Sequence, residues 1–322
     1  MAVNSTSAVK ETSHFVYSQP TEVAKLLEAV KAVQVAQLGS IAKSALRAPP
    51  KPVVVSRPKP VVSVPTLKAR NYKTIGAPVK IIGKEGTSKG ALTHPMGLAV
   101  NAAGNLVVGE WGCKRVQIFN KDGGHLRFVN CGVYMYGVSV APSGEVWVGY
   151  DGNDLRLYNP QSGALVRSIA AKSMYCASLP DGSVVVSTNG PHVCLYNSAG
   201  VQQWESTGSG LTRTNGVCHV PDFNAVAVCD FKNKHVQLLS LADGRHMRMI
   251  QLSDNPYSIA YNAAARVLVV GEFDNVSAWT LEGQLVHQWG QGTVKRAFGV
   301  AIDPSDNTIY VSDHHNGRIL VY

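Results

Sequence analysis

The chain has 322 residues, 45% of them hydrophobic, and a formal net charge of +9. No run of about 18 apolar residues occurs, which excludes a helical membrane span. The N-terminus lacks the apolar core of a secretory signal, and the six cysteines (113, 131, 176, 194, 218 and 229) show neither CxxC nor zinc-site spacing. Reduced, mostly buried thiols in a cytoplasmic protein are therefore expected.

The charge is unevenly spread. Residues 1–74 carry 11 Lys/Arg against 3 Glu, a net +8, and the remainder carries 19 against 18, a net +1. A basic extension thus precedes a nearly neutral body at residues 75–322, and RNA or another anionic partner is expected mainly on the extension. Within it, Thr21 caps an expected helix over about 21–46, whose Val23, Leu26, Leu27, Val30, Val33, Leu38, Ile41 and Ala45 fall near one face. Such a helix packs on the body, associates weakly with itself, or enters a partner's groove or a membrane surface. Its glutamates and the lack of arginine before Arg47 argue against an organelle-targeting peptide. Residues 48–65 are Pro-rich and read as an extended linker, because proline fixes φ and removes a backbone donor.

The body repeats itself. Short β-type runs at 98–100, 106–108 and 115–119 are separated by Asn/Gly-rich turns. A small residue opens each copy: Gly97, Gly137, Cys176, Gly216, Ser258 and Gly299, at intervals of 40, 39, 40, 42 and 41 residues. Outer strands are expected at 125–129, 165–169, 202–205, 247–252 and 285–289, each after a turn containing glycine. Four strands per period of about 40 residues is the spacing of a propeller blade. Six copies predict an all-β, six-bladed β-propeller.

The most regular copy runs Phe298-Gly-Val-Ala-Ile-Asp-Pro-Ser-Asp-Asn-Thr-Ile-Tyr-Val-Ser-Asp-His-His-Asn-Gly-Arg-Ile319. It resembles the NHL repeat, as do the stretch from His94 to Phe119 and, in part, the copy with Asp230, Asn233 and Val236. The resemblance covers about residues 78–322 and implies a six-bladed propeller of NHL type. The sixth copy lacks an outer strand, and residues 78–83 read as a strand before the first copy. Their pairing would close the ring and leave no open seam.

In this topology the loop leading into each inner strand shares a face with the loop after each second strand. That face carries Trp111, Tyr136, Tyr175, Asn215, Phe231, Tyr257, Phe273 and Phe298, amphipathic anchors suited to a partner protein. Basic residues near it, Lys172, Arg213, Lys232, Lys234 and Arg296, are candidate nucleic-acid contacts. The acids at the second-strand ends, Glu110, Asp230, Glu272 and Asp313, are expected mainly to brace loops. His94 and His314 are weak metal candidates without an evident third histidine, and a calcium-type set from Glu110, Asn215 and Asp230 is the other arrangement to test.

The expected function is a non-catalytic interaction scaffold without a cofactor, binding a protein partner through the aromatic face. The alternatives are an RNA-binding NHL propeller and, by likeness to other six-bladed propellers, a lyase or lactonase with a channel metal. No Cys/His spacing of a ubiquitin-ligase domain is present.

Overall fold

A computed structural model describes residues 70–206 and 209–322. The expected helix at 21–46 and the Pro-rich stretch at 48–65 lie outside the described residues.

Six four-stranded antiparallel sheets follow one another as blades. Blade 1 is Pro95–Val100, Leu106–Glu110, Arg115–Phe119 and His125–Asn130. Blades 2 to 5 repeat that up-and-down order from Met135–Val140, Tyr175–Ser178, Thr214–Val220 and Ser258–Asn262. Blade 6 contains Ala297–Ile302, Ile309–Asp313 and Arg318–Val321, and takes its outer strand, Lys80–Ile82, from ahead of blade 1. Ile82 pairs with Ile319 and Lys80 with Val321, and the Val79 amide donates to the Val321 carbonyl at 2.8 Å. The ring therefore closes as the sequence predicts.

The Val-rich second and third strands are buried on both faces, because each sheet is sandwiched between two neighbours. Each pair of adjacent blades encloses one apolar cluster. The cluster at the closing seam joins Ile82, Leu92, Tyr310 and Ile319 to Leu98, Leu106 and Phe119. The period-opening residue must be small because inner strands converge on the axis. A Cβ on Gly97 would lie 2.6 Å from the Val138 nitrogen, and one on Gly216 would lie 2.6 Å from the Ser258 Cα.

The packing reaches back before residue 75, into the stretch assigned by sequence to the extension. Tyr72 is 3% exposed and packs on Trp289, and its hydroxyl accepts from Asn262 Nδ2 at 2.9 Å. Arg70 donates to the Asn307 and Tyr322 carbonyls at 3.0 and 2.9 Å. Residues 70–75 thus strap blade 5 to blade 6. All six cysteines are free, and Cys218 pairs in register with Ala227 rather than facing Cys229.

Candidate interaction face

The acids at the second-strand ends brace the face. Glu110 accepts from the Thr93 amide at 2.9 Å, Arg115 Nε at 2.6 Å and Gln117 Nε2 at 2.7 Å. Asp230 accepts from the Thr212 and Arg213 amides and the Thr212 hydroxyl, with His235 Nε2 at 3.5 Å. Asp313 accepts from the Lys295 amide at 2.8 Å and Arg318 Nε at 2.7 Å. In all three blades a buried carboxylate ties the lead-in loop to the third strand. Burial alone would raise Asp230, but bonds from His235, Thr212 and two amides hold it well below the usual carboxylate range. Blade 5 departs from the rule. Glu272 accepts from Ser277 Oγ, and among the described residues it pairs with no cation and its Oε2 accepts no hydrogen bond. Burial, reinforced by Asp254, pushes it up.

Above these braces lies a continuous arc of rings. Phe231 contacts Tyr257 at 4.9 Å between centroids, Tyr257 contacts Phe298 at 4.3 Å, and Phe298 contacts His314 at 4.6 Å. His314 stacks on His94, His94 meets Trp111 edge-on at 5.9 Å, and Trp111 meets Tyr134 at 4.7 Å. Phe273 joins beside Tyr257 at 6.3 Å. Cations sit over the outer rings: Arg213 over Phe231 at 4.7 Å, Arg296 over Phe273 at 5.1 Å and Lys114 over Tyr134 at 4.1 Å.

The predicted face residues fall into two layers. The residue just before each period-opening position forms an inner ring around the axis. There Tyr175, Asn215 and Phe298 are buried, and Tyr136 and Tyr257 are half-buried. Asn215 donates to the Pro256 carbonyl inside the protein, so it and Tyr175 belong to the core rather than to a contact surface. Trp111 and Phe231 are half-buried and Phe273 is exposed, as their loop positions imply. Tyr136 and Tyr175 contact each other at 6.4 Å, apart from the arc over blades 4, 5, 6 and 1.

The outer layer includes a residue that sequence reasoning missed. Tyr134 stands three positions before Gly137, as His94, Arg213 and Arg296 stand before Gly97, Gly216 and Gly299. Aligning the periods on that column would have found it. In each of these four blades that position is the last residue of the lead-in loop, one before the inner strand begins.

Charge is sorted by face. The loops beside the rings carry Lys84, Lys89, Lys114, Lys172, Arg213, Lys232, Lys234, Lys295 and Arg296 against solvent-facing Glu85, Asp151, Asp154, Asp254 and Asp274. The opposite loops carry Asp122, Glu145, Asp181, Asp222, Asp243, Glu282, Asp303 and Asp306 against Lys73, Lys121, Arg245 and Arg266, with Arg70 in the strap. The near-zero net charge of the propeller is thus a balance between a basic and an acidic side.

The axial cavity is 50 Å³ and is lined by the period-opening residues with Leu98, Val138, Tyr175, Val217, Ile259, Phe298 and Val300. Among the described residues no histidine or carboxylate lines it. Glu110 and Asp230 belong to blades 1 and 4 and are saturated by their own loops, so with Asn215 they form no calcium-type set. His94 and His314 meet ring to ring, and among the described residues no three His, Cys, Asp or Glu side chains are placed to hold a metal together. No helix of the described residues is long and apolar enough to cross a membrane.

A family model described as "NHL repeat" matches residues 298–322, the most regular blade. The chain is also similar to the protein named Protein lin-41 of Caenorhabditis elegans, with 40% identity over 70 residues. That match spans 20% of this chain and 6% of the relative's length.

Proposed function

We propose that the chain, a six-bladed β-propeller whose sixth blade matches the NHL repeat, is an interaction scaffold of the NHL-repeat kind that binds single-stranded RNA on its basic, aromatic face. The observation that carries the reading is the interleaving of rings and cations along one arc. Arg213 and Phe231 stand at one end, Arg296 and Phe273 near the middle, and Trp111, Tyr134 and Lys114 at the other. A single strand presents flat bases along a phosphate backbone, and grooves that hold it pair stacking rings with positive charge. The sorting of charge by face answers the objection that a neutral propeller cannot attract phosphate.

A protein partner is the second reading. It is favoured by the packing of Tyr257, Phe298 and His314 on one another, which leaves few free ring faces and suits shallow anchors at a protein interface. In either case the scaffold works in the reducing cytoplasm. Free cysteines support this: burial pushes the Cys131, Cys176 and Cys194 thiols up to about 12, leaving them unreactive.

Fluorescence anisotropy with a labelled mixed-sequence single strand, on the full chain and on residues 70–322, tests the proposal. The shorter chain is expected to bind with an affinity that falls steeply with salt, with the slope reduced by about 0.7 for each phosphate-contacting lysine or arginine removed. Retention of all RNA binding by the full chain and none by residues 70–322 would overturn it in favour of the basic extension. Pull-down of a partner that survives nuclease and needs Trp111 would support the protein reading.

A further inference from the structure

The lead-in loop of blade 6 meets the second-to-third-strand loop of blade 5 around a pocket of 320 Å³. This volume is at the small end of ligand sites, about 300–1,000 Å³. Phe273, 37% exposed, and Val294 supply its apolar surface, Lys295 and Arg296 its cations, and His315 an imidazole beside them. The walls are tied together by backbone bonds. The Arg296 amide donates to the Phe273 carbonyl at 2.7 Å, and the His315 amide donates to the Lys295 carbonyl at 3.3 Å. The pocket is therefore shaped before anything enters it.

Its charges are not balanced from within. The His315 ring lies 5.2 Å from His314, which stacks on His94 at 4.9 Å, so imidazoles rather than carboxylates stand behind Lys295 and Arg296. The buried acid that acts on His315, Asp313, is consumed by Arg318, Asn316 and the Lys295 amide. The lining holds one carboxylate, Asp274, which is exposed.

We infer that this pocket is a nucleotide subsite that holds one phosphate ester among Lys295, Arg296 and His315 with its base against Phe273. The assignment rests on the RNA-binding reading and names where that strand is gripped. It has a consequence for pH. Burial, then Arg296, His94 and Lys295, lowers His315, with Asp313 alone opposing and Asp274 at the solvent side. A bound phosphate reverses the sign of that field, so occupancy favours the protonated imidazole and binding strengthens as the solution is acidified.

The test uses the full chain with AMP, adenosine, phosphotyrosine and a 12-nucleotide single strand as probes. Calorimetry is run at pH 7.5 and 6.0 with the His315 imidazole followed by NMR. AMP is expected to bind at least about tenfold more tightly than adenosine, and the single strand, whose phosphodiesters keep one charge each over this range, to bind more tightly at pH 6.0. His315→Gln should remove the pH dependence, Lys295→Ala should weaken AMP by about tenfold, and Asp274→Asn should strengthen it. All three side chains are exposed, and circular dichroism checks that each variant folds. AMP binding absent or unchanged in Lys295→Ala, or single-strand binding independent of pH, overturns the subsite. Phosphotyrosine binding tighter than AMP overturns the nucleotide assignment. AMP binding as expected with no binding of the single strand leaves the subsite and sinks the RNA reading. RNA binding indifferent to His315→Gln, Lys295→Ala and excess AMP does the reverse.

Discussion

His94 and His314 stack across the seam between blades 1 and 6, with ring centroids 4.9 Å apart and planes 25° apart. The His314 Nδ1–H donates to the Pro95 carbonyl at 3.2 Å. Burial, reinforced by His94, His315 and Arg296, pushes His314 down to about 4 against the Pro95 bond. The unfolded chain protonates this imidazole near its ordinary value of about 6.5. Between about 6.5 and 4 the unfolded state therefore binds a proton that the folded state refuses, and stability falls as pH falls. Thermal melts at pH 7 and 5 should show that loss, and it should be smaller by roughly a few degrees in His314→Phe. An equal loss in both proteins would show that His314 does not govern the seam's response to acid.

The acid braces should differ in their cost of removal. Glu110 is buried against Arg115, so Glu110→Ala strands a cation and should cost about 3–5 kcal/mol in urea unfolding. Among the described residues Glu272 pairs with no cation and carries an unpartnered oxygen. Glu272→Gln should cost less than about 1 kcal/mol, since a neutral amide avoids burying charge. Equal losses would mean that both acids act through volume alone.

Closure should depend on two segments separately. A chain beginning at Gly90 lacks the Lys80–Ile82 strand and should aggregate or melt far lower than one beginning at Arg70. Tyr72→Ala in the longer chain should cost about 3 kcal/mol, by the scale of buried aromatic truncations. An unchanged melting temperature would show that the strap is dispensable.

The face should divide by layer. Trp111→Ala and Phe273→Ala each remove a ring at the rim and should weaken the bound strand by about 1–3 kcal/mol with little change in melting. Phe298→Ala opens the packed inner ring and should lower the melting temperature as well. Arg245→Ala, on the opposite side, should leave binding intact. If Trp111→Ala unfolds the protein without a separable binding defect, the rim is core and the face assignment falls.

Much of this architecture was legible before any coordinates. Six small residues about 40 apart, the glycine turns and the strand at 78–83 prescribe six blades and their closure, because period-2 burial and positive-φ turns are local properties. Gly123, Gly163, Gly200, Gly244 and Gly283 all take that conformation. The bracing role of Asp313 beside Arg318 was likewise readable from their spacing. Depth was not. Tyr175 and Phe273 are both aromatics near strand ends, yet one closes the axis and the other stands at the rim, because convergence of inner strands is a property of the whole ring. Nor does summed charge along a chain carry direction. Lys295 and Asp303 are close in sequence and lie on opposite sides of the propeller, since each passage along a strand reverses the face. The net +1 of the body therefore concealed a basic side and an acidic one, and only the folded ring brings His94, from its start, against His314, near its end.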